Sequence, residues 1–232
     1  MYQKHLFIES IPAILWGHPT HALWIAVHGD QSNKADPVIA LLAEEAVARG
    51  DAVLSFDLPA HGARIGGARA CTPQNCIEDL QTIYSYGSNL SDTINLFGCS
   101  IGAYFAMLAY RDFPINRALF LSPILDMQRL IEDMMAAFAI TPERLRREKT
   151  IETPLKTLDW AYYQYVLTHP IQWNKPTAFL RGSEDTLCPA ETARAFAEHH
   201  RAHMTIMPGG EHWFHTKAQL DFYRRWLDKE FL

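Results

Sequence analysis

A serine, an aspartate and a histidine follow three separate apolar runs of this chain, and each lies close to turn-forming glycines. Ser100 stands in GCSIG (98–102), between an apolar run and an apolar helical pattern. Asp185 follows a later run in GSEDTLCP, and His212 follows the last run in GGEHWFH. A serine hydroxyl becomes a nucleophile when a histidine accepts its proton and an acid orients that histidine. The chain order of serine, aspartate and histidine, each after an apolar run, therefore predicts nucleophilic catalysis by Ser100, with His212 as base and Asp185 as acid.

The pattern Gly-x-Ser-x-Gly has a specific meaning where a strand ends and a helix begins. On such a turn the serine hydroxyl is exposed at the C-terminal edge of the sheet. We expect glycine at positions 98 and 102 because side chains there would collide with the turn. The free N–H groups of the following helix point at the site, and we expect the Ile101 N–H to stabilise a developing oxyanion.

The elements that must position these residues alternate along the chain. Short apolar runs, most without in/out alternation, are typical of strands buried on both faces. Residues at three- and four-residue spacing between the runs predict helices. This alternation predicts an α/β fold with a mostly parallel, doubly wound sheet. The predicted strands lie within residues 23–29, 52–59, 93–100, 117–123, 176–183 and 204–210, and the predicted helices within 37–50, 77–87, 103–113, 189–201 and 218–231.

Two segments depart from this alternation. The runs at 5–10 and 13–18, on either side of Ile11-Pro12, predict an antiparallel N-terminal hairpin at the sheet edge. Residues from about 126 to 170 contain helical patterns and no good strand, so they predict a helical cap inserted between two strands. With no linker or repeat, residues 1–232 are expected to form a single domain that carries this cap.

Five motifs together resemble the α/β-hydrolase superfamily over nearly the whole chain, and more narrowly small bacterial hydrolases of the esterase/lipase and serine-aminopeptidase-like group. The motifs are VHGD (27–30), SFDLPAHG (55–62), GCSIG (98–102), GSEDTLCP (182–189) and GGEHWFH (209–215). The resemblance implies that Asp185, not Glu184, is the triad acid and that His212 is the base. It also implies that the backbone N–H of Asp30 is the second oxyanion donor.

Several polar residues near these motifs allow other interpretations. A carboxylate at Asp30 would oppose an oxyanion, so we expect its side chain to turn away, toward a partner such as Lys34 or a backbone N–H. Asp126 follows the strand run at 117–123, and it is the main alternative for the triad acid. We expect structural roles for His28, Asp57 and His61.

The predicted cap suggests an apolar and aromatic substrate pocket above Ser100. The predicted reaction is hydrolysis of a carboxylic ester with a small or medium acyl or aromatic group, without cofactor or metal. A thioesterase or small-peptide hydrolase with the same triad, and a non-catalytic small-molecule receptor, are the alternatives. The candidate pocket residues are Met134, Met135, Phe138, Trp160, Tyr163 and Trp213. A thioesterase would bind its substrate through Arg144, Arg146 or Arg147, and a peptidase would bind its substrate through Glu132, Asp133 or Glu184.

Composition excludes several other classes of function. The net charge is −5 and no long basic run is present, which argues against nucleic acid as a partner. No apolar stretch reaches the roughly 18 residues of a membrane span. We expect a soluble, cytoplasmic monomer or homodimer that acts on a small molecule. The four cysteines are expected to be reduced, although Cys71 and Cys76 could pair on oxidation.

Overall fold

The protein contains one large β-sheet with helices on both faces, as seen in a computed structural model that describes residues 1–231. The strands are β1 (Gln3–Ile8), β2 (Ile11–Trp16), β3 (Leu23–Val27), β4 (Ala52–Phe56), β5 (Ile94–Cys99), β6 (Ala118–Leu121), β7 (Thr150–Ile151), β8 (Leu158–Asp159), β9 (Thr177–Gly182) and β10 (His203–Met207). The helices are α1 (Pro37–Ala48), α2 (Pro73–Gly87), α3 (Ile101–Ala109), α4 (Met127–Ala137), α5 (Pro142–Glu148), α6 (Trp160–Thr168), α7 (Ala190–His200) and α8 (Lys217–Glu230). None of these helices in residues 1–231 is both long and apolar enough to cross a bilayer.

The strand order of the large sheet is β1-β2-β4-β3-β5-β6-β9-β10. Strands β1 and β2 are antiparallel to each other, β2 is antiparallel to β4, and all remaining neighbours are parallel. Helices α1 and α8 pack together on one face, where Trp24 and Phe97 are buried, and α2 and α3 pack on the other. The predicted doubly wound, mostly parallel sheet is therefore confirmed.

The N-terminal hairpin is present, but its turn is earlier than the sequence suggested. Ile8 pairs with Ile11, so the turn consists of Glu9 and Ser10 rather than Ile11 and Pro12. Glu9 takes a positive φ of 53°, a conformation that tight hairpin turns require. Pro12 lies inside β2, a position that the sequence pattern alone did not indicate.

The segment between β6 and β9 contains three helices and a small antiparallel ribbon. The expectation of no strand in residues 126–170 is wrong, because β7 and β8 pair there. Each strand has two residues, which is too short to leave a periodic pattern in the sequence. Helix α4 packs against α6, and the Tyr163 hydroxyl donates to Glu132 Oε1 at 2.8 Å.

The turn from β5 to α3 brings the backbone of α3 unusually close to β3. Ser100 at this turn has φ 52° and ψ −120°, which is strained for a residue with a side chain. A Cβ added to Gly102 would lie 2.3 Å from the carbonyl oxygen of His28, and one added to Gly98 would lie 2.6 Å from the Cα of Ala103. Only glycine at both positions allows the turn to be this tight.

We expect Gly102→Ala to lower the free energy of unfolding by roughly 2–3 kcal/mol, because the new methyl group overlaps rigid backbone atoms. Gly66→Ala is the control: an added Cβ there meets nothing within 4 Å, although φ is +76°. The control should lower the free energy of unfolding by only roughly 1 kcal/mol, the cost of a left-handed backbone for a residue with a side chain. Urea denaturation measures both. A cost for Gly102→Ala no greater than that of the control would contradict the proposed backbone contact.

Candidate active site

Three side chains at the C-terminal ends of β5, β9 and β10 form a continuous hydrogen-bonded relay. Ser100 Oγ is 2.8 Å from His212 Nε2, and His212 Nδ1 is 2.9 Å from both carboxylate oxygens of Asp185. A neutral imidazole that donates from Nδ1 to a carboxylate leaves Nε2 free to accept a proton. The geometry therefore suits transfer of the Ser100 proton to His212.

The Asp185 carboxylate is fully buried and held by several donors. The N–H groups of Leu187 and Cys188 donate to its Oδ1 at 3.0 and 3.2 Å. Below them, Arg181 is 2% exposed, and its Nη2 donates to the backbone carbonyls of Asp185 and Cys188. Sequence reasoning missed Arg181, although a charged residue in the apolar strand TAFLRG was a visible signal. Its guanidinium fixes the loop that presents Asp185.

The loops that carry Asp185 and His212 lie in direct backbone contact. The Glu184 N–H donates to the carbonyl oxygen of Gly210 at 2.8 Å. A Cβ added to Gly182 would lie only 2.0 Å from that same oxygen. The Glu184 side chain itself is exposed, whereas Asp185 points inward. This close approach sets the spacing between the acid and the imidazole.

The loop after β3 passes directly beside Ser100. A Cβ added to Gly29 would lie 3.2 Å from the Cβ of Ser100. The buried His28 ring holds this loop: Nδ1 bonds to the Gly29 carbonyl oxygen at 2.7 Å, and Nε2 accepts the Leu58 N–H at 3.0 Å. Burial lowers the pKa of His28 to about 4, so the ring is neutral and Nε2 is able to accept. His28 thus links the loops that follow β3 and β4.

The Asp30 side chain turns toward two cations, but neither is the Lys34 that the sequence suggested. His61 Nε2 is 3.2 Å from Asp30 Oδ1, and Lys156 Nζ, from the β7–β8 connection, is 2.7 Å from it. Lys34 instead binds the buried Asp57, through Nζ at 2.5 Å and through its backbone N–H at 2.9 Å. The expected partner was therefore wrong, because the nearer, fully buried Asp57 holds Lys34.

The Asp30–His61 contact changes the pKa values of both groups. The hydrogen bond from His61 holds the pKa of Asp30 well below its usual range, although burial alone would raise that pKa. The same hydrogen bond, together with smaller contributions from Cys71 and the Pro59 carbonyl oxygen, raises the pKa of His61 from 6.5 to about 10. With His61 Nδ1 bonded to the Pro59 carbonyl oxygen at 2.8 Å, both ring nitrogens face acceptors, as an imidazolium requires.

Asp126, the alternative acid, has a different role in the structure. Its Oδ1 accepts the N–H of Arg129 at 2.9 Å and caps α4, and the residue is exposed. His212 bonds to Asp185 instead. The geometry thus brings Asp185, and not Asp126, into the relay.

The candidate pocket residues have unequal surroundings. Met135 and Tyr163 are buried in the core beneath α4 and α6, so their side chains pack the cap. Trp213 is 69% exposed and stacks on His215 with ring centroids 4.1 Å apart. The structure therefore does not enclose Trp213 in a pocket. Met134, Phe138 and Trp160 are partly buried and pack against the core.

We expect Asp30→Asn to destabilise the protein in a pH-dependent way. Because the folded-state pKa of His61 is raised from 6.5 to about 10, its pairing contributes fully below pH 6.5 and is lost as the pH rises toward 10. Chemical denaturation should show a difference between wild type and variant on the order of 1 kcal/mol near pH 6, which shrinks toward the contribution of the Lys156 pair alone as the pH approaches 10.

Asp221→Asn is the matched control for this pH series, because Asp221 pairs with the exposed Lys217 on the protein surface. Its effect should be much smaller than that of Asp30→Asn near pH 6 and should not change over the same range. A difference for Asp30→Asn that does not change with pH would count against an imidazolium at His61.

Comparison with solved structures shows the same fold over nearly the whole chain. Est1E of Butyrivibrio proteoclasticus, solved with ferulic acid bound, has a TM-score of 0.79 and 19% identity, covering 98% of this chain and 97% of that one. Alpha/beta hydrolase domain-containing protein 10 from mouse has a TM-score of 0.77 and 15% identity, covering 100% and 98%. An esterase of Pyrococcus furiosus has a TM-score of 0.69 and 20% identity, covering 99% and 88%.

Sequence comparison identifies the family independently of these structures. No curated protein matches the chain. The alpha/beta hydrolase family profile matches residues 17–225, which include Ser100, Asp185 and His212. Together with the sheet order and the strained turn at Ser100, this match confirms the resemblance inferred from the sequence motifs. The chain belongs to the alpha/beta hydrolase family.

Proposed function

We propose that this protein is a serine hydrolase that cleaves a carboxylic ester with a small or medium acyl or aromatic group. The observation that carries the proposal is the hydrogen-bonded relay from Ser100 Oγ through His212 to the buried Asp185. Such a relay generates a nucleophile from an otherwise weakly reactive hydroxyl. A small-molecule receptor has no need of an assembled relay, which argues against the non-catalytic alternative.

In the first half of the reaction, His212 Nε2 accepts the Ser100 proton while Ser100 Oγ attacks the ester carbonyl carbon. Asp185 stabilises the imidazolium that forms and keeps Nδ1 pointed at the carboxylate. The N–H groups of Ile101 and Asp30 donate to the oxyanion, and one such donor is worth roughly 3 kcal/mol. The intermediate collapses, the alcohol leaves with the proton from His212, and an acyl-serine remains.

In the second half, water replaces the alcohol. His212 takes a proton from the water, whose oxygen attacks the acyl carbon, and the same two N–H groups hold the second oxyanion. Collapse breaks the bond to Ser100 Oγ, which regains its proton from His212. The carboxylic acid is released and the enzyme returns to its starting state.

The electrostatics around Asp30 support its backbone as an oxyanion donor. A free carboxylate beside the oxyanion would raise the energy of the transition state. Here the charge is paired with His61 and Lys156, 3.2 and 2.7 Å away. These pairs draw the side chain to the cations and leave the Asp30 N–H compatible with a developing negative charge.

Several of the groups that alternative substrates would need already have partners. A thioesterase would use the arginines of α5 to bind an anionic carrier, but Arg144 and Arg147 both bond to Glu148. A peptidase would use acidic groups to bind a free amino terminus, but Glu132 accepts the Tyr163 hydroxyl. These pairs would have to break before a charged substrate could bind there, which favours an uncharged ester. Two other candidate anchors, Arg146 and Glu184, are exposed and form no such pair among residues 1–231.

Two similar structures support an ester substrate by analogy of fold. Est1E binds ferulic acid, an aromatic carboxylic acid of the kind that aromatic ester hydrolysis releases. The Pyrococcus furiosus protein is an esterase. Because one fold supports many reactions, the analogy favours an ester substrate and the relay supplies the chemistry.

We expect a fluorophosphonate probe to label the wild type at one serine and to leave Ser100→Ala unlabelled. Intact mass spectrometry measures the label, and p-nitrophenyl esters of increasing chain length measure turnover. Turnover by the variant should fall by a factor of about 10⁴ or more. Ser85→Ala, at an exposed position on α2, is the control and should behave as wild type. A folded wild type that resists the probe would refute the proposal.

We expect Asp185→Asn to reduce kcat by about 10⁴-fold, because an amide would stabilise the wrong imidazole tautomer and would not balance the imidazolium. Asp126→Asn makes the same chemical change at the rival position, where asparagine still caps α4, and it should leave kcat within about twofold. Steady-state ester hydrolysis measures both variants. The reverse order of effects would transfer the role of acid to Asp126.

A further inference from the structure

Two cysteine sulfur atoms meet at the start of α2, apart from the proposed relay. The Sγ atoms of Cys71 and Cys76 are 3.6 Å apart, and both residues are free thiols. Thr72 caps α2, so Cys71 directly precedes the cap and Cys76 lies in the first turn. Side chains at these two positions regularly pack against each other at helix N-termini. The helix start itself therefore brings the sulfurs together.

The cap holds this arrangement in place. The Thr72 hydroxyl accepts the Asn75 N–H at 3.3 Å, and the Asn75 side chain donates to the Ala70 carbonyl oxygen at 2.8 Å. The backbone on both sides of Cys71 is thus fixed to the first turn of α2. Only a small movement of the sulfurs separates their contact from a disulfide, whose bond length is about 2.0 Å.

The two thiols differ in exposure and in electrostatic surroundings. Cys71 is half-buried, and its pKa is lowered by the hydrogen bond from Cys76 and by the nearby cations His61 and Lys156. Cys76 is fully buried, and burial raises its pKa; Asp79 and Arg64 are the charged groups that face it. A reactive thiolate beside a protected thiol is the arrangement of an attacking and a resolving cysteine.

We propose that Cys71 and Cys76 form a dithiol that hydroperoxides oxidise to an intramolecular disulfide. The Cys71 thiolate attacks the terminal oxygen of the hydroperoxide and the O–O bond breaks, which gives a Cys71 sulfenic acid and an alkoxide. The alkoxide takes a proton from solvent and leaves as the alcohol. The Cys76 sulfur, losing its proton, then attacks the Cys71 sulfur and forms the S–S bond, while the sulfenic oxygen leaves as water. The two thiols supply the two electrons that reduce the hydroperoxide to alcohol and water.

This modification site is linked to the proposed active site without using its chemistry. His61, whose charge lies near the Cys71 sulfur, is also bonded to Asp30 on the loop beside Ser100. The remaining thiols are held in the protonated form: burial raises the pKa of Cys188 to about 11 and raises that of Cys99 as well. Cys99 and Cys188 therefore serve as controls inside the same molecule.

The test uses the reduced, full-length wild type, treated with tert-butyl hydroperoxide near neutral pH and mapped by peptide mass spectrometry. We expect a mass loss of two hydrogens, located in a Cys71–Cys76 cross-linked peptide. In Cys76→Ser, dimedone should trap a sulfenic acid at Cys71. With iodoacetamide near pH 6, Cys71 of the wild type should be alkylated at least tenfold faster than Cys99 or Cys188. Fluorophosphonate labelling of Ser100 before and after oxidation reports separately on the proposed relay.

Four free thiols after peroxide treatment would overturn the proposal. Alkylation of Cys99 or Cys188 at the same rate as Cys71 would overturn it too. So would the reverse trapping result, in which Cys71→Ser yields a sulfenic acid on Cys76 and Cys76→Ser yields none on Cys71. The wild-type measurements decide the matter even if a variant fails to fold.

Discussion

The strained turn at Ser100 is the constraint on which the rest of the site depends. A serine with φ 52° is held against its own backbone preference, and such strain persists only where surrounding structure determines it. The surroundings are backbone atoms: α3 starts against the end of β3, in a gap where a methyl group on Gly102 would not fit. The same approach brings the loop after β3 beside the Ser100 hydroxyl. One tight contact between main chains thus positions both the nucleophile and the proposed oxyanion donors.

Buried charges complete the site by holding loops rather than by touching a substrate. Arg181 fixes the loop of Asp185, and the Lys34–Asp57 pair joins the loops that follow β3 and β4. Lone charges in these positions would be costly to desolvate. Asp57 is paired with Lys34, and Arg181 Nη2 donates to two backbone carbonyls, although Arg181 Nε has no partner among the described residues. Asp30 is more exposed, and its carboxylate is likewise paired, with His61 and Lys156. The polar network makes the loops rigid where the relay requires fixed distances.

Most of the sheet and the choice of relay residues could be predicted from the sequence, because both leave local signals. Buried parallel strands read as apolar runs, and the turn at Ser100 requires a glycine on either side. The features that escaped prediction depend on contacts between distant segments. Lys156 and Asp30 form a pair although they lie far apart in the sequence. The β7–β8 ribbon is too short to show a periodic pattern, and the hairpin turn at Glu9 and Ser10 contains no glycine or proline. Arg181 was visible as a charge in a strand, but its carbonyl partners were not.

The contact between the loops of Gly182 and Gly210 has a consequence for how this protein could change over time. The supports of the relay lie in β5, β6, β9, β10 and the loops that follow them, and they draw on no hydrogen bond from α4, α5 or α6 among those described for residues 1–231. Substitutions in these three helices would therefore leave the supports of the relay in place, whereas Lys156, between β7 and β8, is tied to Asp30. In evolutionary terms the relay and these helices can change separately, and the acid and base loops must vary together or not at all.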